Sequence, residues 1–107
     1  MALEFHILKG PGHNHQDYSE DAVSFEEIEY QELIRIANEE KLPLIAAMTD
    51  YYGEYRIVPS ELDSLLTEIK SILSSVPEGD IRATLSKFEQ LVSKAKLENL
   101  PIATLPD

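Results

Sequence analysis

The chain has 107 residues and a mass of 12.1 kDa, the length of a single domain that buries roughly two-thirds of its unfolded surface, enough for one core without disulfides or metal. Nine basic against twenty acidic residues give a formal charge of −11, which repels phosphate backbones and anionic headgroups, so nucleic-acid and membrane partners are disfavoured and a partner steered by charge should be basic. The absence of cysteine removes disulfides, thiolate catalysis and cysteine-ligated zinc.

"MALEFHILKG" lacks a basic start and carries Glu4 and His6 within a short apolar run, so neither a signal peptide nor a membrane span is expected, and the cytoplasm is the expected compartment. Within it Leu3, Phe5 and Ile7 alternate with Glu4 and His6, the period of a half-buried strand. Gly10, Pro11 and Gly12 end that strand and open a polar stretch, read as a mobile loop at about 10–22.

The run "SFEEIEYQELIRIANEEK" begins with Ser24 and Glu27 at capping-box spacing, and it predicts a helix. Tyr30, Leu33, Ile34 and Ala37 form its apolar face, extended by Phe25 and Ile28, and three glutamates sit in its first turns, where the helix dipole favours negative charge. Pro43 interrupts the pattern, and "LPLIAAMTDYYG" predicts a short second helix closed by Gly53. "EYRIV" alternates as a second strand does. "SELDSLLTEIKSIL" is an amphipathic third helix, and Asp80 is placed to cap a fourth that aligns Ile81, Leu85, Phe88, Leu91, Val92 and Ala95. "LPIATLP" predicts a short third strand.

"LIRIANEEKLPLIA" and "LVSKAKLENLPIAT" resemble each other, each a helix end followed by Leu-Pro and an apolar run, and are read as two helices stopped by the same chemistry. Together the elements predict one α+β domain over residues 1–107, with three or four helices on one face of a small two- or three-stranded sheet. A mostly α-helical chain with extended ends is the alternative, because an isolated strand pair is marginal.

Three groups of residues carry the candidate chemistry. "GHNHQDY" places His13, His15 and Asp17 at alternate positions just after a strand. The trio resembles the opening of the His-x-His-x-Asp-His metal motif of the metallo-β-lactamase fold. Tyr18 stands where that motif has its closing histidine, and no histidine follows residue 15 to complete a zinc shell. Histidine pairs after the first strand of amidohydrolase barrels offer a similar likeness, but that barrel needs about 250 residues. The residue-level reading is a solvated loop with no metal or other cofactor, and the weaker alternative is a zinc site of His13, His15 and Asp17. No nucleophile elbow or phosphate-binding glycine motif occurs.

The second group is a charge run. From Gly10 to Ile34 there is no lysine or arginine, while Asp17, Glu20, Asp21, Glu26, Glu27, Glu29 and Glu32 all occur; the last helix carries Arg82, Lys87, Lys94 and Lys96. The third is "TDYYGEY", where Tyr51, Tyr52 and Tyr55 are flanked by Asp50 and Glu54 at a glycine turn. Tyrosines among carboxylates suit a recognition surface, because the ring buries area while its hydroxyl tolerates water. Tyr55 is expected in the core and Tyr52 at the surface.

These features point to a non-enzymatic interaction domain that binds a basic protein, antitoxin- or immunity-like, through Glu26, Glu29, Glu32, Asp50, Tyr51, Tyr52 and Glu54. The alternatives are a small metal- or ligand-dependent enzyme using the 13–17 loop and a structural homodimer subunit.

Overall fold

A computed structural model of the chain describes residues 2–12, 14–50 and 55–106, with the backbone alone at His15, Asp50 and Pro106. The order is β1 (Leu3–Leu8), β2 (Tyr18–Phe25), α1 (Glu27–Glu39), α2 (Pro43–Asp50), β3 (Arg56–Ile57), α3 (Leu62–Leu73), α4 (Asp80–Glu98) and β4 (Ile102–Pro106), with single 3-10 turns at His15–Asp17 and Pro59–Glu61. It is an α+β fold, four helices packed with one antiparallel sheet of order β2-β1-β4-β3. The sheet has four strands rather than two or three, because the supposed loop supplies one of them.

Register explains the layering. Phe5 lies opposite Val23 on one side and Thr104 on the other, and Ile102 lies opposite Ile7 and Ile57. Residues directly opposite share a face, so Leu3, Phe5, Ile7, Val23, Phe25, Ile57 and Ile102 line one side, and all are buried. Phe88 of α4 meets that face, its ring 4.3 Å from Phe5 and 5.7 Å from Phe25. Three aromatic rings from distant segments thus join sheet to helices. Glu4, His6, Ala22, Arg56 and Leu105 occupy the opposite face.

β2 escaped the sequence pattern because it is irregular. Between His6 and Leu8 on β1, the partner register jumps from Ala22 to Tyr18, so β2 carries extra residues in a bulge. Buried Ser19 satisfies the interrupted ladder: its hydroxyl accepts the Ile7 N–H at 2.9 Å and donates to the Asp21 carbonyl at 2.6 Å. Phe25 and Ser24 therefore belong to the strand, and Ser24 is not the helix cap. The N-cap is Glu26, in a capping box with Glu29 whose carboxylate accepts the Glu26 N–H at 3.1 Å. α4, by contrast, starts one residue earlier than a cap at Asp80 would require, since Gly79 is its N-cap and Asp80 its first residue.

The two Leu-Pro stops have one structural cause. Lys41 and Asn99 adopt left-handed φ values of 55° and 57°. Leu42 N–H then bonds to the Ala37 carbonyl, and Leu100 N–H to the Ala95 carbonyl, each at 2.9 Å. These are the long hydrogen bonds of a Schellman ending, which satisfy carbonyls the helix leaves open. After the first stop α2 starts on Pro43, and α3 supplies the cap: the buried Glu68 carboxylate accepts Leu44 N–H at 3.1 Å and Ile45 N–H at 2.9 Å. No described helix is long and apolar enough to cross a membrane.

Candidate functional site

The loop after β1 is organised by Asp17. Its Oδ2 accepts Gly12 N–H at 2.9 Å and Asn14 N–H at 3.3 Å. The Tyr18 hydroxyl donates to the Gly12 carbonyl at 3.3 Å, and Arg56 reaches across from β3 to the Pro11 carbonyl at 2.8 Å. Gly12 has φ 86°, and a Cβ there would stand 2.4 Å from the Arg56 guanidinium, so glycine answers both the turn and the close approach. His13 lies outside the described residues, as does the His15 side chain. Among the described residues no three His, Asp or Glu side chains are grouped to hold a metal ion. Residues 18–22 of the expected loop are strand, so that expectation is corrected to a shorter connection.

Beside this loop, the sheet face away from the helices bears a cavity of about 780 Å³ lined by Glu4, His6, Lys9, Tyr18, Asp21 and Leu105 among others. His6 Nδ1 is 3.0 Å from the Ser19 carbonyl and Nε2 is 3.0 Å from Glu4 Oε1, so both ring nitrogens face oxygen acceptors. Sequence alternation placed Glu4 and His6 on one strand face, and the structure brings them into contact. What it adds is Ser19, brought to the ring by the bulge.

Tyr51, Tyr52, Gly53 and Glu54 lie outside the described residues, and of Asp50 only the backbone, closing α2, is described. Tyr55 is half-buried against the core, its N–H donated to the Thr104 hydroxyl at 2.9 Å.

The acidic run of α1 is where the structure assembles most. Glu26, Glu29 and Glu32 line a groove of about 880 Å³ whose second wall is the start of α4, with Asp80, Ile81, Thr84 and Lys87. The Thr84 hydroxyl donates to Glu29 Oε2 at 2.7 Å and ties the two walls together. Arg35 pairs with Glu32 on one side and with Glu39 at 2.6 Å on the other. The hydrogen bond from Arg35 holds the Glu32 carboxyl below its ordinary value, against a smaller opposing effect of burial. Among the described lining residues, Lys87 is the one basic side chain beside the five acidic ones, Glu26, Glu27, Glu29, Glu32 and Asp80.

Between the acids lies Ile28, 83% exposed. This corrects its assignment to the core face. On an ideal wheel Ile28 lies about 180° from Ala37, so it points away from the stripe of Tyr30, Leu33 and Ala37 that does enter the core. That angle was available in the sequence; the α4 wall was not, because it begins more than fifty residues later. Compared with known proteins, the chain matches no family model, no curated protein and no solved structure.

Proposed function

We propose that this chain is a non-enzymatic protein-interaction domain of the cytoplasm that binds a basic protein, in the manner of an antitoxin or immunity protein, through the acidic face of α1. The observation that supports this reading is the gathering of Glu26, Glu27, Glu29, Glu32 and Asp80 along one groove, with Lys87 as the one basic residue among its described lining residues. Helix dipoles account for acids in first turns, but not for two such turns converging on a shared groove. Carboxylates at an exposed rim act on a partner by long-range steering, which salt weakens. The segment Asp50–Glu54 belongs to the proposal as a source of aromatic contact, with Tyr52 as its anchor.

Stopped-flow binding to a partner identified by cross-linking tests the reading. Replacing Glu26, Glu29 and Glu32 together by glutamine keeps side-chain shape and a capping-box partner. It should slow association and flatten its salt dependence, leaving dissociation nearly unchanged. Tyr52→Ala should instead speed dissociation. If both folded variants bind that partner with wild-type rates and salt slope, the assignment is wrong.

A further inference from the structure

Independently of that reading, we infer that the free edge of β2 takes an extended segment of another protein as an added antiparallel strand. The segment carries an aliphatic residue at its centre and a carboxylate two residues before it. The first observation is the direction of the backbone. Leu8 donates its N–H to the Pro101 carbonyl on the β4 side, whereas Ile7 donates to the Ser19 hydroxyl on the β2 side. Peptide groups alternate in direction along a strand, so Leu3 and Phe5 also face β2 and bond the residues opposite them, Phe25 and Val23. Ala22 and Ser24 therefore turn both N–H and C=O outward, where the sheet order places no described strand to receive them. These four groups stand in ladder geometry, the template that strand addition uses.

The second observation is what lies beside that edge. A groove of about 320 Å³ between β2 and α4 is lined by Val23, Lys87, Leu91 and Lys94 among others. Val23 and Leu91 are only 5% and 6% exposed and form its base, with the lysines exposed at its sides. Residues directly opposite share a face, so the segment's residue opposite Val23 points onto Val23 and Leu91, and an aliphatic side chain suits it. In antiparallel register the residue two before it lies opposite Phe25. Lys94 is held at the other end by Asp21, at 2.7 Å. Lys87 also lines the groove beside Glu26, which sets it toward the Phe25 end, and it is in no ion pair among the described residues. A carboxylate opposite Phe25 would meet that lysine. A second copy fits this edge worse, because twofold pairing of β2 on β2 would bring Lys87 and Lys94 of both α4 helices to one seam.

The probe is a fluorescent peptide of sequence Thr-Thr-Glu-Thr-Val-Thr-Thr, followed by anisotropy at about 0.15 M salt, where charges more than about 8 Å away are screened. Methylating the amide nitrogen of the threonine after valine removes the donor to Ala22 and leaves every side chain in place. It should weaken binding about tenfold, the scale of one hydrogen bond whose acceptor is left unmet. Replacing the peptide's glutamate by glutamine should weaken binding about threefold, the scale of an exposed ion pair. That preference should vanish in Lys87→Gln, a change at an exposed position that leaves thermal stability unaltered. Amide NMR shifts on titration should be largest at Ala22 and Ser24. Equal binding of the methylated and parent peptides, shifts mapping elsewhere, or no binding at millimolar peptide would overturn strand addition. A glutamate preference that survives in Lys87→Gln would overturn the placement of the carboxylate. Ala22 and Ser24 amides protected from exchange in the free protein, together with a dimer in sedimentation, would overturn the inference in favour of a second copy.

Discussion

Glu68 shows how one residue can carry two elements. The side chain belongs to α3, yet its carboxylate caps α2, whose own start offers only Leu42 and Pro43. A leucine cannot accept the N–H groups of the first turn, and proline contributes none. A buried carboxylate accepting two backbone donors is worth more than a neutral pair, because truncation leaves the buried Ile45 N–H and the part-buried Leu44 N–H without their acceptor. Glu68→Ala should therefore lower unfolding free energy by about 2–3 kcal/mol in urea titration, and Glu68→Gln by less, since the amide oxygen still accepts one bond. In the sequence, Glu68 sits in an amphipathic helix among other acids and looks like one more solvated charge. Its role depends on where α2 lies, so local pattern could not mark it.

At the scale of elements, the helices were legible because each carries its own apolar stripe: Leu62, Leu65, Leu66, Ile69 and Ile72 of α3 are all buried, as are Leu85, Phe88, Leu91, Val92 and Ala95 of α4. Their endings were legible too, since the repeated Leu-Pro marks two Schellman stops. The stops differ in cost. Asn99 is a residue that tolerates the left-handed region, whereas Lys41 at φ 55° crowds its Cβ against the backbone. Lys41→Gly should raise stability by about 0.5–1 kcal/mol, the relieved strain being partly offset by the greater freedom of glycine in the unfolded chain. The control Asn99→Gly should gain less. Thermal denaturation of both variants checks the ranking. β2 was missed because a bulge breaks its alternation and polar side chains fill it, so residues 18–22 read as loop.

At the scale of the whole molecule, the sheet leaves β2 at an edge, and α4 holds it from the helical side. Phe88 packs on Phe25, and Lys94 Nζ lies 2.7 Å from Asp21 Oδ2. The Lys94 hydrogen bond and charge hold the Asp21 carboxyl below its ordinary 3.8 and raise Lys94 above its ordinary 10.5. A lowered folded pKa means that the contribution is complete above 3.8 on the acid side and is lost as pH falls through the lower folded value. For Lys94 the sign is opposite: the contribution is present below 10.5 and is lost as pH rises through the raised value. A double-mutant cycle of Asp21→Asn and Lys94→Met should show a small favourable coupling at neutral pH that disappears at both extremes. The coupling should also shrink in high salt, because both groups are exposed. A coupling that persists below the folded pKa of Asp21 would mean that packing rather than charge joins these side chains.

By itself the sequence determined the domain class, the four helices, three of the four strands, the Leu-Pro stops and the acidic run, all of which are written in neighbouring residues through period, capping chemistry and composition. Tertiary structure alone decided the rest. Ser19 completes the ladder of β1 from 12 residues away, Glu68 caps α2 from 23, and Thr84 joins Glu29 across 55 to close the groove. In each case a polar group finds its partner only after the chain has packed, and the hydrophobic pattern that guides the packing carries no record of which polar groups will meet.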